Sequence, residues 1–243
     1  MADSQIPPVT SSPSASIRTP WTKKDRTKIP SLKNPQELAT LCAGKSGNKF
    51  VVHKDFACHY SPVLEAAFNG NFIEGQTQEY KFYDTGEEAI RLLVHRLYTQ
   101  KLDTIALSDP HKKGWSEQRG EAVKTQTQAL IELWVLCERL IIPRLQNVII
   151  HEIQCVTEHT NTIPVSCFKY IHENNASNSP LRRIYVDQCV TRFSSDDTYT
   201  FKPDRYPHEM LLDMVIMFTK ILMRKDSGFH RGGIWSLISS RKI

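Results

Sequence analysis

The residues of this 243-residue chain that could do chemistry gather in FVVHKDFACHYSPVLEAAFNG, which holds His53, Lys54, Cys58 and His59. A thiol beside an imidazole supplies the nucleophile and the base of a nucleophilic site. Such a site also requires a group that orients the base and donors that stabilise an oxyanion. The segment supplies no acid at a suitable spacing and no glycine-rich loop. We therefore expect a packed cysteine, no catalytic residue and no enzyme.

A second group of reactive side chains lies in HEIQCVTEH, where His151, Cys155 and His159 recur every four residues. Zinc ligands must converge on one ion at about 2.0–2.3 Å, whereas residues four apart are about 6 Å apart along a helix axis. One ion could take two of these side chains and never all three. The spacing therefore favours a polar helix face, and we expect no metal and no cofactor.

Composition and charge limit the classes of protein that the chain can belong to. Hydrophobic residues make up 40% of the chain, which is enough for a core, and the net charge of +5 is only a weak indication of nucleic-acid binding. The six cysteines form no CxxC pair, a pattern typical of free thiols in a reducing compartment. Neither a membrane-spanning run nor a secretory signal is recognisable. We expect an intracellular protein of the cytoplasm or nucleus.

The N-terminal part is predicted to be a tail followed by a helix. Residues 1–33 are rich in Ser, Thr and Pro, and we expect them to be disordered. The basic segment WTKKDRTK at residues 21–28 is interpreted as solvated tail, with nuclear import or nucleic-acid contact as the alternative. Asn34, Pro35 and Glu37 have the spacing of a capping box, which predicts a helix that begins there.

The reactive segment itself is predicted to be scaffold. KFVVHK is β-branched and apolar, which predicts a strand. Asp55 is a candidate N-cap for a short helix, and Ser61 with Pro62 predicts the start of a second one. EYKFYD predicts another strand, and Thr85 with Glu88 predicts a capped helix behind it.

The rest of the chain is predicted to be helical after a long exposed connection at residues 103–120. An apolar stripe that includes Trp134 predicts a buried helix, and Pro143 predicts the start of the next one. Further helices are predicted around residues 165–172, 180–193 and 207–223. We expect the last of these to pack on the helix before it, through Leu211, Met214, Val215, Phe218, Ile221 and Leu222.

Four blocks in this order resemble a known family: FVVHK, CHYSPVLEAAFNGNFIEG, RLYTQKL and LIELWVLCERLIIPRLQN. They are similar to BTB/POZ domains, most of all the compact ones of filamentous fungi. The resemblance covers about residues 45–159, less the connection after Leu102. It implies an α/β (α+β) fold with a small, mostly antiparallel sheet flanked by a cluster of helices. We expect a tail at 1–33, a BTB/POZ domain at 34–159 and a helical extension at 160–243.

The resemblance implies a protein-interaction module that binds itself or other proteins, and an adaptor role for cullin-3 ubiquitin ligases. The family-signature and interaction residues that it suggests are His53, Lys54 and Ser61. Leu107 and Asp109, in LSD, loosely match the hydrophobic–x–acid motif of such adaptors.

One departure from the family concerns a charged pocket. Members often carry an Asp in the strand before FVVHK, and LATLCAGKSGNKF has no acid to pair with Lys54. The alternative function is a nuclear DNA-associated regulator. It is favoured by the basic N-terminus and opposed by the lack of a DNA-reading motif. We therefore expect protein partners, with nucleic acid and membrane not among them.

Overall fold

The computed structural model describes residues 29–45, 47–106, 116–192 and 205–226. Of the tail predicted at residues 1–33, residues 1–28, including the basic segment, lie outside them. The elements are, in order, β1 (Leu38–Ala43), β2 (Asn48–His53), α1 (Lys54–Tyr60), α2 (Pro62–Asn69), α3 (Ile73–Thr77), β3 (Glu79–Phe82), α4 (Glu87–Thr99), α5 (Glu117–Arg139), α6 (Pro143–Thr160), a 3-10 turn (Val165–Cys167), α7 (Phe168–Asn174), α8 (Pro180–Arg192) and α9 (His208–Asp226).

The architecture is mixed α/β, as predicted, with a small sheet flanked by helices. Within the described residues the sheet has the order β2-β1-β3, in which β1 pairs antiparallel with β2 and parallel with β3. The sheet is therefore mixed rather than mostly antiparallel. Alternate residues of the central strand, Ala39, Leu41 and Ala43, are buried and face the helices.

The prediction of a helix that begins at Asn34 is wrong, because a turn and a strand occupy this segment. The backbone N–H of Glu37 donates to the carbonyl of Asn34 at 3.0 Å, with Pro35 at the second turn position. The chain then enters β1, whose backbone groups are paired on both sides. A capping box satisfies only the first turn of a helix, whereas the two strand pairings satisfy the whole segment.

The predicted joint between a strand and two short helices is confirmed. β2 leads directly into α1, and Pro62 opens α2 with Ser61 as its N-cap. Asp55 is not the N-cap of α1, since His53 holds that position. The Asp55 carboxylate instead accepts the backbone N–H groups of Lys33 and Asn34 at 3.0 and 3.1 Å. It thereby ties the segment before β1 to α1.

The helix predicted after β3 is present as α4, but its predicted capping box does not form. Gly86 is the N-cap, and its N–H donates to Glu132 Oε2 of α5 at 2.9 Å. Glu88 pairs with Arg91 at 2.7 Å instead of reaching back to Thr85. A tertiary contact with α5 therefore replaces the local cap.

One hydrophobic cluster joins the sheet to the C-terminal helices. Trp134 of α5 is buried in it, as predicted, and so are Tyr185 of α8 and Met210 of α9. The Phe168 ring lies 5.9 Å from the Tyr185 ring and 5.5 Å from the Tyr206 ring, between centroids. The described parts of the extension, residues 160–192 and 205–226, therefore share their core with the rest of the described chain.

The prediction that α9 packs on α8 is confirmed, but the predicted contact face is partly wrong. Met214 is buried, whereas Val215, Phe218 and Leu222 are 59%, 38% and 45% exposed. α9 is apolar around most of its circumference. Its sequence pattern alone could not indicate which side α8 would cover.

Five of the six cysteines are buried, and Cys155 is half-buried. Of the helices in the described part of the chain, none combines the length and hydropathy that crossing a bilayer requires.

Candidate functional site

His53, at the end of β2, is held by Tyr98 of α4. The backbone N–H of His53 donates to the Tyr98 hydroxyl at 2.8 Å, and its Nδ1 lies 2.9 Å from the same oxygen. The tautomer of the imidazole decides which of the two groups donates in the second bond. Phe56 stacks beside Tyr98 with 4.7 Å between ring centroids. The imidazole therefore orients an aromatic cluster of the scaffold.

Lys54 opens α1, and its backbone N–H donates to the carbonyl of Glu37 at 3.0 Å. In the described part of the chain, no ion pair involves its ammonium group. β1 carries no acidic residue, as the sequence indicated.

Ser61 is fully buried and connects two parts of the fold. Its Oγ accepts the backbone N–H of Leu64 at 3.1 Å and donates to the carbonyl of Leu140 at 2.8 Å. The first bond caps α2, and the second satisfies a carbonyl just after α5. Ser61 therefore joins the α1–α2 pair to the α5–α6 hairpin.

Ser61→Ala should lower the free energy of unfolding by about 2 kcal/mol, because it removes a cap and leaves a buried carbonyl without its donor. Urea denaturation followed by circular dichroism measures the loss. Ser116 is the matched control, since it caps α5 by accepting the Arg119 N–H at an exposed position. Ser116→Ala should cost about 1 kcal/mol or less. Equal losses would show that the Leu140 bond contributes nothing.

Cys58 is packed at the same joint. Its Sγ lies 3.9 Å from the carbonyl oxygen of Leu64 and 4.0 Å from Nδ2 of Asn69. His59 packs edge-on against Tyr60, with 4.7 Å between centroids. These contacts support the packing role.

The His151, Cys155 and His159 series lies along α6, as its spacing indicated. Nε2 of His151 is 3.8 Å from Sγ of Cys155, and Nδ1 of His159 is 2.8 Å from the Cys155 carbonyl oxygen. Among the described residues, no group of three His, Cys, Asp or Glu side chains is arranged to hold a metal ion.

The remaining predicted interaction residues, Leu107 and Asp109, lie outside the described residues. The structure therefore places His53 and Lys54 at the start of α1 and Ser61 just after its end, each with a different partner, and the hydrophobic–x–acid motif stays a prediction.

A surface groove borders this joint and was missed by the sequence predictions. It has a volume of about 260 Å³ and lies between the ends of α1 and α4 and the turn that connects α5 to α6. We call it the joint groove. Its lining residues are Tyr60, Arg96, Leu97, Gln100, Ile141, Ile142, Pro143, Arg144 and Leu145.

Ile141, at the rim of the joint groove, has an unusual backbone conformation. Its φ is +54°, the left-handed region, and its side chain is 58% exposed. The N–H of Ile142 donates to the Cys137 carbonyl at 2.8 Å, and the N–H of Ile141 donates to the Glu138 carbonyl at 3.2 Å. This is a Schellman motif, whose left-handed position is usually glycine. Left-handed backbone costs a β-branched residue about 1–2 kcal/mol.

The sequence did contain a signal for this position. In ERLIIPR a helix must end before Pro143, and the segment offers neither glycine nor asparagine for the left-handed turn.

The joint groove is positively charged and partly apolar. Burial lowers the pKa of Arg96 and raises that of Tyr60. Neither Arg96 nor Arg144 is ion-paired with a carboxylate in the ranges that the structure describes. Leu97 and Ile142 supply apolar walls. The groove can therefore hold an apolar side chain next to an anionic group.

In comparisons with known proteins, no family model and no curated sequence matches this chain. The fold and the groove define its class: a mixed α/β protein with a small sheet flanked by helices, and a cationic, partly apolar groove beside the strand–helix joint.

Proposed function

We propose that this protein is a non-enzymatic protein-interaction module of the BTB/POZ type, which associates with itself or with another protein. The family-like sequence blocks support the type. The mixed sheet, the α1–α2 pair and the α5–α6 hairpin are compatible with it. The observation that carries the interaction role is Ile141, an exposed β-branched residue in a strained backbone conformation.

In the described part of the chain, burial of the Ile141 side chain offsets little of its backbone strain. A side chain that is 58% exposed gains little from burial, and glycine would satisfy the same Schellman bonds at a lower cost. Residues held in unfavourable backbone regions cluster at sites of function, where the conformation presents a group to a ligand. Presentation of this side chain to a partner accounts for its position.

The partner that fits the joint groove is a polypeptide with an apolar side chain close to an acidic one. The apolar side chain packs on Ile141 and Pro143, and the acid pairs with Arg96 or Arg144. Partial burial of Arg96 strengthens such a pair by reducing the screening by water. The narrower form of the proposal is an adaptor for cullin-3 ubiquitin ligases, which rests on the family resemblance.

Ile141→Gly should raise the free energy of unfolding by about 1 kcal/mol, because it relieves the left-handed strain. The same change should weaken partner binding at least tenfold, because it removes the presented side chain. Urea denaturation measures the first effect. Titration of the purified chain against the N-terminal region of cullin-3 measures the second.

Val51→Ala is the matched control, since Val51 is 59% exposed but lies on β2, away from the joint groove. It should leave binding unchanged. Arg96→Glu should also abolish binding, through charge reversal. If Ile141→Gly and Arg96→Glu both bind as wild type, the joint groove is not the interaction site.

A further inference from the structure

α9 carries apolar side chains around most of its circumference, and the described residues cover only one side of it. Met210 and Met214 are buried against the core, with Met217 and Ile221 half-buried beside them. On the other side six large apolar side chains are between 38% and 73% exposed. This outer stripe consists of Leu212, Val215, Ile216, Phe218, Leu222 and Met223.

The outer stripe is continuous along the helix. Leu212, Val215, Phe218 and Leu222 follow one another at intervals of three and four residues, which places them in one row about 15 Å long, and Ile216 and Met223 lie beside this row. Single exposed apolar residues are ordinary on protein surfaces, but a contiguous stripe of this kind indicates an interaction surface.

Opposite charges lie beside the outer stripe, the negative one towards its N-terminal end and the positive one towards its C-terminal end. Glu209 precedes the stripe centre and Lys220 follows it, and both are exposed on the same flank of α9. If two copies of α9 pair in antiparallel orientation, Glu209 of each copy lies at the height of Lys220 of the other. A parallel two-fold pair would instead place the two copies of each charge on opposite flanks, so that neither Glu209 nor Lys220 would meet an opposite charge.

We propose that a second copy of this chain covers the outer stripe, through antiparallel pairing of α9 with α9 about a two-fold axis near Val215. An isologous pair of this kind buries the same patch on both copies. The inference rests on the proposed function, since it assigns the surface through which the module associates with itself.

The pairing should be reversible. One helix pair is small compared with the roughly 800 Å² per partner of a standard interface. We therefore expect dissociation constants in the micromolar range, with monomer and dimer in exchange.

Sedimentation velocity of the full chain between about 1 and 100 μM tests the pairing. Wild type should shift from monomer to dimer across this range. Val215→Glu should weaken the dimer at least tenfold, because it brings two carboxylates together at the centre of an apolar contact. Val51→Glu, on β2 and equally exposed, is the control and should dimerise as wild type.

A charge exchange tests the orientation without altering the apolar stripe. Glu209→Lys and Lys220→Glu should each weaken the dimer by about 2–5-fold, as expected for exposed ion pairs. The double variant should regain the wild-type constant, because in an antiparallel pair the two exchanged positions again place opposite charges against each other. A double variant weaker than both single variants would overturn the antiparallel register.

A wild-type chain that stays monomeric at about 100 μM would overturn the inference. So would a Val215→Glu chain that dimerises as tightly as wild type. In the second case, loss of the dimer in Ile141→Gly would leave the proposed function standing and move the self-association surface to the joint groove. A chain that neither self-associates nor binds cullin-3 would contradict both proposals.

Discussion

Phe168→Ala should lower the free energy of unfolding by about 3–5 kcal/mol, the usual cost of truncating an enclosed phenylalanine. Phe168 has no exposed surface, and its ring packs on Tyr185 of α8 and Tyr206 before α9. Its removal leaves a cavity where α7, α8 and the start of α9 meet. Urea denaturation at low micromolar concentration, followed by circular dichroism, measures the loss.

Phe218→Ala is the matched control, because it removes the same atoms from an exposed place. The Phe218 side chain is 38% exposed on the outer side of α9. Its truncation in the monomer should cost about 1 kcal/mol or less. The apolar pattern of α9 predicted that this residue is buried. Equal losses of stability at the two positions would agree with that prediction and contradict the exposed position of Phe218 in the structure.

Asp213→Ala should lower the free energy of unfolding by about 2–3 kcal/mol, because it leaves the guanidinium of Arg182 buried without its counter-ion. Arg182 Nη2 lies 3.0 Å from Asp213 Oδ2, and the exposures of the two side chains are 7% and 29%. The other described partner of the guanidinium is the Asn175 carbonyl, at 3.5 Å. Thermal and urea unfolding measure the effect.

Asp84→Ala is the control for this pair. Asp84 pairs with Arg139 at 2.7 Å with both side chains about half exposed, and its loss should cost about 1 kcal/mol or less. The double variant Arg182→Met/Asp213→Leu should recover most of the stability that Asp213→Ala loses, because no charge is then left buried. If Asp213→Ala and Asp84→Ala cost the same, burial adds nothing to the Arg182 pair.

The candidate site was only partly predictable. His53, Lys54 and Ser61 were indicated by their sequence block, and the structure places the first two at the start of α1 and Ser61 just after its end. The joint groove was not predicted, because Tyr60, Arg96 and Ile141 come from three separate elements. Only the packing of α1, α4 and the α5–α6 turn brings these residues together.

The sequence by itself determined the elements whose signals are local. Ser61 with Pro62 specifies the start of α2, Pro143 specifies the start of α6, and the apolar period around Trp134 specifies a buried helix. In each case the physical cause is local, because it lies in the backbone and the side chains of the same short segment.

The tertiary structure decided what depends on distant partners. The segment after Asn34 became the central strand because β2 and β3 pair with it on both sides, a gain that its capping box could not match. Gly86 became the N-cap of α4 because Glu132, 46 residues away, accepts its N–H. α9 is apolar on two sides, so only contact with α8 could determine which side became core and which remained exposed.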